Sequence, residues 1–153
     1  MKRCIEVFCC AGMIAFAAPA LAADSCSITL VPTLGFPNYD VFAAAPTTTS
    51  QIAKFNCNNK TVTMIVGIGQ SATSNSIANR QMAQTAGSGR LNYNIYKDGG
   101  YSALWGDGTA GTSALVVNTS KKNTSVSIYG KIDPGQDVPV GSYKDTVVLS
   151  VNP

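Results

Sequence analysis

The sequence predicts an all-β sandwich built as a single domain. Three observations carry this reading: apolar and polar residues alternate over short runs, turn clusters separate those runs, and no stretch keeps an apolar face at the 3.6-residue spacing of a helix. Hydrophobic residues make up 45% of the 153, enough for one core.

Residues 1–22 stand apart from the domain. Lys2 and Arg3 precede an apolar run from Val7 to Ala18, and small residues at Ala20 and Ala22 close it, the pattern of a secretory signal peptide with an A-x-A cleavage site. The run is shorter than the roughly 18 apolar residues that cross a bilayer, and no other stretch reaches that length. The expected mature domain, residues 23–153, is therefore exported and carries no transmembrane segment. Cys4, Cys9 and Cys10 leave with the signal, so Cys26 and Cys57 remain in an oxidising compartment. A structural staple between them is expected in preference to a redox role.

The strands follow in order. "CSITLV" (26–31) opens the domain. Ile52 to Cys57 places Ala53, Phe55 and Cys57 on one face, and "TVTMIVGI" (61–68) does the same with Val62, Met64, Val66 and Ile68. The turn cluster Asn58-Asn59-Lys60 between them predicts a hairpin. "LNYNIY" (91–96) alternates Leu91, Tyr93 and Ile95, and Asp98-Gly99 after it predicts a tight reversal. "SALVV" (113–117) and "TSVSIYGKI" (124–132) add two more strands, and "DPGQD" (133–137) is the turn before the last, Thr146 to Asn152, whose inward face is Val147, Leu149 and Val151. Gln70 to Gly89, rich in Ser, Asn, Thr and Gln, reads as a long surface loop with a short helical turn near Ala78 to Gln84, pinned to the core by Met82.

Few side chains are available for chemistry. The chain has no His, and its single Glu, Glu6, lies in the signal. This removes Ser-His-Asp and Cys-His arrangements and the usual zinc sites. The Asp residues show no paired-carboxylate spacing, so no catalytic residue, metal site or cofactor is expected. A formal charge of +3 without a run of Lys or Arg longer than two leaves no nucleic-acid footprint. "GGYSALWGDGTAG" (99–111) holds one candidate ligand contact, Trp105, which has the means to stack on a sugar; packing is the commoner role of an isolated Trp in a β domain. The last strand has two readings. It is either paired on both sides or borders a gap that another chain fills, and pattern alone favours the first.

The order Cys26, "FPNYD" (36–40), Cys57, "RQM" (80–82), "LNYNIY" (91–96), "WGDG" (105–108), "YGKIDPGQ" (129–136) and "GSYKDTVVLSV" (141–151) resembles the spore coat protein U domain family, which includes subunits of archaic, Csu-type chaperone–usher pili. The resemblance covers essentially the whole of residues 23–153. It implies an incomplete immunoglobulin-like sandwich that lacks its last strand, with one disulfide, Cys26 to Cys57, and a donor-strand groove flanked by Val147, Leu149 and Val151. It also implies three partners: a periplasmic pilus chaperone, an outer-membrane usher and a neighbouring pilus subunit whose N-terminal extension fills the groove. The implied destination is the cell surface, as a pilus or fimbria, or secretion, and a tip position would carry adhesion and biofilm formation as the role.

Two features depart from the family pattern. Pro37 stands where Gly is common in the F-G-x-Y-D motif, which fixes φ and removes a donor. Only Ala23, Asp24 and Ser25 precede Cys26 after the expected cleavage, and at about 3.3 Å per residue three residues do not span such a groove. The chain is thus expected to accept a strand without donating one, which suits a terminal or tip position. Two rival readings use the same fold: a spore or cell-surface coat protein outside any pilus, and a secreted carbohydrate-binding module built around Trp105.

Overall fold

The computed structural model describes residues 23–153 other than Lys60, so the expected signal peptide lies outside the described residues. Nine strands follow in chain order: Cys26–Leu30 (β1), Thr47–Cys57 (β2), Val62–Ile68 (β3), Arg80–Gln84 (β4), Arg90–Tyr96 (β5), Leu115–Thr119 (β6), Asn123–Ile132 (β7), Tyr143–Lys144 (β8) and Leu149–Asn152 (β9). They form a six-stranded sheet in the order β1-β2-β7-β5-β4-β8 and a three-stranded sheet in the order β6-β3-β9. No helix occurs among the described residues.

The alternating rows of the sequence become the inner faces of the two sheets. Ala53, Phe55 and Cys57 of β2, Met64, Val66 and Ile68 of β3, Leu91 and Ile95 of β5, and Val126, Ile128 and Ile132 of β7 are all buried in one core. Each large apolar side chain so placed contributes about 1.5–3 kcal/mol. The inner row of β7 is interrupted at Gly130, and the reason is steric. A Cβ there would lie 2.7 Å from Phe36 Cζ and 2.8 Å from Leu34 Cδ2. Only glycine lets the irregular segment 32–41 lie this close on the sheet. Phe36 then meets Tyr93 edge to face, with ring centroids 6.0 Å apart.

Two local expectations need correction. Segments 52–57 and 61–68 do not form a hairpin: β2 pairs with β1 and β7, whereas β3 pairs with β6 and β9 in the opposite sheet. Both strands bury a full apolar row, and facing those rows across the sandwich covers both, which pairing side by side would not. The second correction concerns Ala78 to Gln84, where a helical turn was expected. The chain instead forms β4, antiparallel to β5, with Arg80 and Met82 turned inward. An arginine at a core position hides the period-two pattern.

Cys26 and Cys57 are disulfide-bonded across a sequence separation of 31. They are register partners at the end of the β1–β2 ladder, so the bond ties the edge strand β1 to the interior of its sheet. At the other end of β5, the Asp98–Gly99 reversal is held by one carboxylate: Asp98 accepts from the backbone N–H groups of Ala103 (2.8 Å) and Ser102 (3.2 Å). Those bonds hold its pKa below the usual value, the Ala103 N–H first and the Ser102 N–H next.

Two outcomes follow. Replacing Cys26 and Cys57 together by Ser should lower stability by about 3–4 kcal/mol for a loop of this length, read from the urea midpoint and matched by adding reductant to the parent chain. Acid should loosen the 97–104 reversal. Because the folded Asp98 pKa is depressed, its contribution is present above the unfolded value of about 4 and is lost as pH falls through the lower folded value. Amide exchange at Ser102 and Ala103 should therefore accelerate below that pH before the core strands respond.

Candidate strand-accepting groove

The last strand is bonded on one side only. β9 pairs with β3 in the register Ile68↔Leu149, Gly67↔Ser150, Val66↔Val151 and Ile65↔Asn152. The Gly69 N–H donates to the Val148 carbonyl at 2.8 Å, which makes 69 and 148 a bonding pair and fixes the alternation. Val148, Ser150 and Asn152 therefore turn their backbone groups toward β3. Val147, Leu149 and Val151 turn theirs the other way, to an edge where no strand is paired among the described residues. The same three residues place half-buried side chains against the core. One row of the chain thus offers both free backbone groups and an apolar face.

Next to this edge lies a groove of about 1000 Å³. Its walls are the irregular segment 32–41 and the segment 138–147, which contains β8 and ends at Val147. Its floor is the inner face of the six-stranded sheet, at Met82, Leu91, Tyr93, Ile95 and Ile132. Leu149 and Val151 continue the inward row beyond the groove, where β9 approaches β1 without a ladder between them. β1 is likewise an edge, bonded to β2 alone. Large apolar residues stand exposed around this region, with Val140 wholly exposed and Val31 and Val148 about two-thirds exposed.

The second wall is held by polar contacts that sequence reading missed. Asp145 accepts from the Tyr93 hydroxyl at 2.8 Å and from both the N–H and the hydroxyl of Thr73, at 3.1 and 3.0 Å. Burial pushes the Tyr93 phenol well up, and the bond to the Asp145 carboxylate pushes it further. Ser71, fully buried, donates to the Gln81 carbonyl and accepts from the N–H groups of Thr73 and Ser74. Residues 71–74, within the segment read as a long surface loop, therefore brace the groove wall. The alternation of Ser and Thr at 71, 73 and 74 was the available signal, since such hydroxyls fold a chain locally onto its own backbone.

Trp105 does not present a face to any ligand. It is fully buried, its indole N–H donates to the Val66 carbonyl at 2.9 Å, and its backbone N–H donates to Ile95 at 2.8 Å. The candidate ligand contact takes the commoner role of a packing residue, because an indole placed between two sheets finds both apolar cover and a carbonyl partner. Arg80 lies beside it, also fully buried. Its guanidinium donates to the carbonyls of Ile68 (3.0 Å), Gly69 (2.9 Å) and Trp105 (2.9 Å), while burial lowers its pKa from the ordinary range. Asp107, at the outer end of this hairpin, binds its own turn through Thr109. No group of three His, Cys, Asp or Glu side chains able to hold a metal occurs among the described residues, and no described helix is long and apolar enough to cross a membrane.

Comparison with known proteins identifies a family and similar proteins. A family model described as the Spore Coat Protein U domain matches residues 13–150. "Protein U" of Myxococcus xanthus is 35% identical over 72 residues, 47% of this chain and 39% of that protein. The solved chaperone–tip adhesion subunit pre-assembly complex CsuC–CsuE, from archaic chaperone–usher Csu pili of Acinetobacter baumannii, matches with a TM-score of 0.59 at 21% identity, over 84% of this chain and 40% of the matched one. The chain spans about two-fifths of the length of each of these two relatives.

Replacing Arg80 by Met should cost on the order of 3 kcal/mol, because three buried carbonyls lose their donor. Thermal unfolding reads the loss. Arg80→Lys should fail to restore it, since a lysine side chain ends one atom short of the Nη2 that makes all three bonds and lacks the Nε–H that also donates to Gly69.

Proposed function

Because the chain belongs to the Spore Coat Protein U domain family, we propose that it is an exported structural subunit of a chaperone–usher pilus whose groove accepts a β-strand from another protein. One observation carries this reading: Val147, Leu149 and Val151 combine unpaired backbone groups with an apolar inward face. An extended segment laid along β9 would complete the ladder, and its alternate side chains would enter the groove over Met82, Leu91 and Ile95. An open apolar edge is otherwise an aggregation hazard, and the exposed Val31, Val140 and Val148 add to that hazard. A periplasmic chaperone would fill the groove first, and a neighbouring subunit would replace it after passage through an outer-membrane usher. No catalytic step belongs to this reading.

The proposed position is the distal end of the fibre, with adhesion and biofilm formation as the role. After cleavage behind Ala22, the segment ahead of β1 would be Ala23, Asp24 and Ser25, and the structure holds these residues down. Ser25 and Asn58 exchange hydrogen bonds, Asn58 Nδ2 donates to the Ala23 carbonyl, and Asn59 Nδ2 donates to Asp24. A segment so pinned is not free to enter a neighbour's groove. Detection of this protein at many positions along shear-released fibres would sink the distal placement.

The acceptor reading is tested by producing the chain in a bacterial periplasm with and without a co-expressed pilus chaperone, followed by size-exclusion chromatography. Recovery only as a one-to-one complex is expected, lost when Val147 and Leu149 are both replaced by Asp. A soluble, cooperatively unfolding monomer without any chaperone would overturn it and favour a coat protein closed on itself.

A further inference from the structure

The six-stranded sheet has a second surface, facing away from the groove. Alternation that turns Leu91, Tyr93 and Ile95 inward turns Asn92, Asn94 and Tyr96 outward on β5, and the register sets Lys131 opposite Asn94 and Tyr129 opposite Tyr96. Tyr101 arrives on this face from the 97–104 reversal. Its ring stands edge to face with Tyr96, centroids 5.7 Å apart, and with Tyr129 at 6.5 Å. All three rings are half-exposed. Tyr101 adopts a φ of 54°, a left-handed conformation that a bulky side chain rarely takes. It is held there by Asp98, whose carbonyl accepts the Tyr101 N–H and whose carboxylate binds the two residues that follow. Strain maintained to place an exposed ring is a mark of function.

Beside the rings is a concavity of about 460 Å³, within the roughly 300–1,000 Å³ range of small-ligand sites. Five of its eight lining residues are amides, Asn79, Gln81, Asn92, Asn94 and Gln136, and the others are Asp133 and the inward-turned Arg80 and Tyr93. The amides are held in place before any ligand arrives. Gln136 exchanges two hydrogen bonds with the Asn92 backbone and donates a third to Asp133, and Gln81 donates to Asn92 Oδ1 at 2.9 Å. Asn94 donates to the Ala78 carbonyl and leaves its Oδ1 without a partner. The two halves of the surface are joined by Lys131, which lies 5.4 Å over the Tyr96 ring and forms an ion pair with Asp133 at 2.9 Å.

We propose that the outer face of β4, β5 and β7, comprising the Tyr96–Tyr101–Tyr129 cluster and the adjoining amide-lined concavity, is a binding site for neutral glycans. Charge decides the ligand class. Lys131 and Asp133 neutralise each other, the Asp98 carboxylate is taken up by the N–H groups of Ser102 and Ala103, and Arg80 turns its guanidinium inward to the carbonyls of Ile68, Gly69 and Trp105, so an ionic ligand finds no free counter-charge, whereas fixed amides suit hydroxyl groups and half-exposed rings suit the apolar faces of sugars. Prior fixing of the side chains lowers the ordering cost of binding. The site lies on the opposite side of the same strands from the groove, so it stays open whether or not a strand fills that groove.

Affinity electrophoresis of the exported chain, with its chaperone bound if the chain requires one, through gels containing soluble β-glucan, galactomannan or dextran tests the proposal. Retardation by at least one of these is expected, insensitive to salt. Tyr129→Ala should weaken it by about tenfold, the scale of one lost ring contact. Tyr101→Gly removes a ring while relieving the positive φ, so it should lose retention with an unchanged or raised melting temperature. Val116→Ser, on the three-stranded sheet, should leave retention intact. Absence of retardation by all three polymers, or retardation that survives both tyrosine changes, would overturn the proposal, as would a tyrosine effect confined to self-association.

Discussion

Two side chains tie the sheets together across the core, and the shape of the molecule depends on them. Trp105 hangs from β5 through its backbone and reaches β3 through its indole N–H. Arg80, on β4, reaches the carbonyls of Ile68 and Gly69 at the end of β3 and that of Trp105 itself. Each bond is made out of water, where an unpaired carbonyl costs about 1–3 kcal/mol. A sandwich is usually closed by apolar contact alone, which tolerates sliding. Here directional bonds fix where β3 stands over β4 and β5, and therefore where β9, which pairs only with β3, must lie.

That placement explains why the groove exists. The six-stranded sheet is twice as wide in strands as the sheet facing it. Part of its inner face is therefore left to the irregular segment 32–41 and to the segment 138–147. These segments are anchored at points: by Leu34 and Phe36 at Gly130 on one side, and by Asp145 with Tyr93 and Thr73 on the other. Between the anchors only the two residues of β8 join a ladder, with β4, and a cleft remains. The C-terminal segment itself is divided, with β8 bonded to the large sheet and β9 to the small one. A chain that crosses from one sheet to the other at residues 145–148 must open the sandwich at that edge.

The outer face obeys the opposite logic. Where the inner face is apolar and in need of cover, the outer face carries amides and tyrosines that are already bonded to one another. An apolar inner groove and a polar, aromatic outer face coexist on the same three strands because β side chains alternate between the two sides.

Much of the fold was legible in the residues. The inward rows of β3, β5 and β7, the Asp98 reversal, the staple between Cys26 and Cys57 and the inward row Val147, Leu149, Val151 all follow from alternation, turn chemistry and a cysteine count, which are local signals. Four features were not legible, for one shared reason. The separation of β2 from β3, the strand character of Arg80 to Gln84, the Val66 carbonyl that the Trp105 indole meets and the meeting of Tyr96, Tyr101 and Tyr129 all depend on which strands become neighbours. Periodicity states which side of a strand is apolar, but pairing order and register are set by how two sheets share one core. A buried arginine or tryptophan becomes acceptable only when carbonyls from distant segments converge on it. The sequence by itself determined that this would be a two-layer β domain with a patterned last strand. Only the tertiary structure decided that one edge of that strand is unpaired among the described residues, because the number of strands on each side of a sandwich is a property of the packed whole.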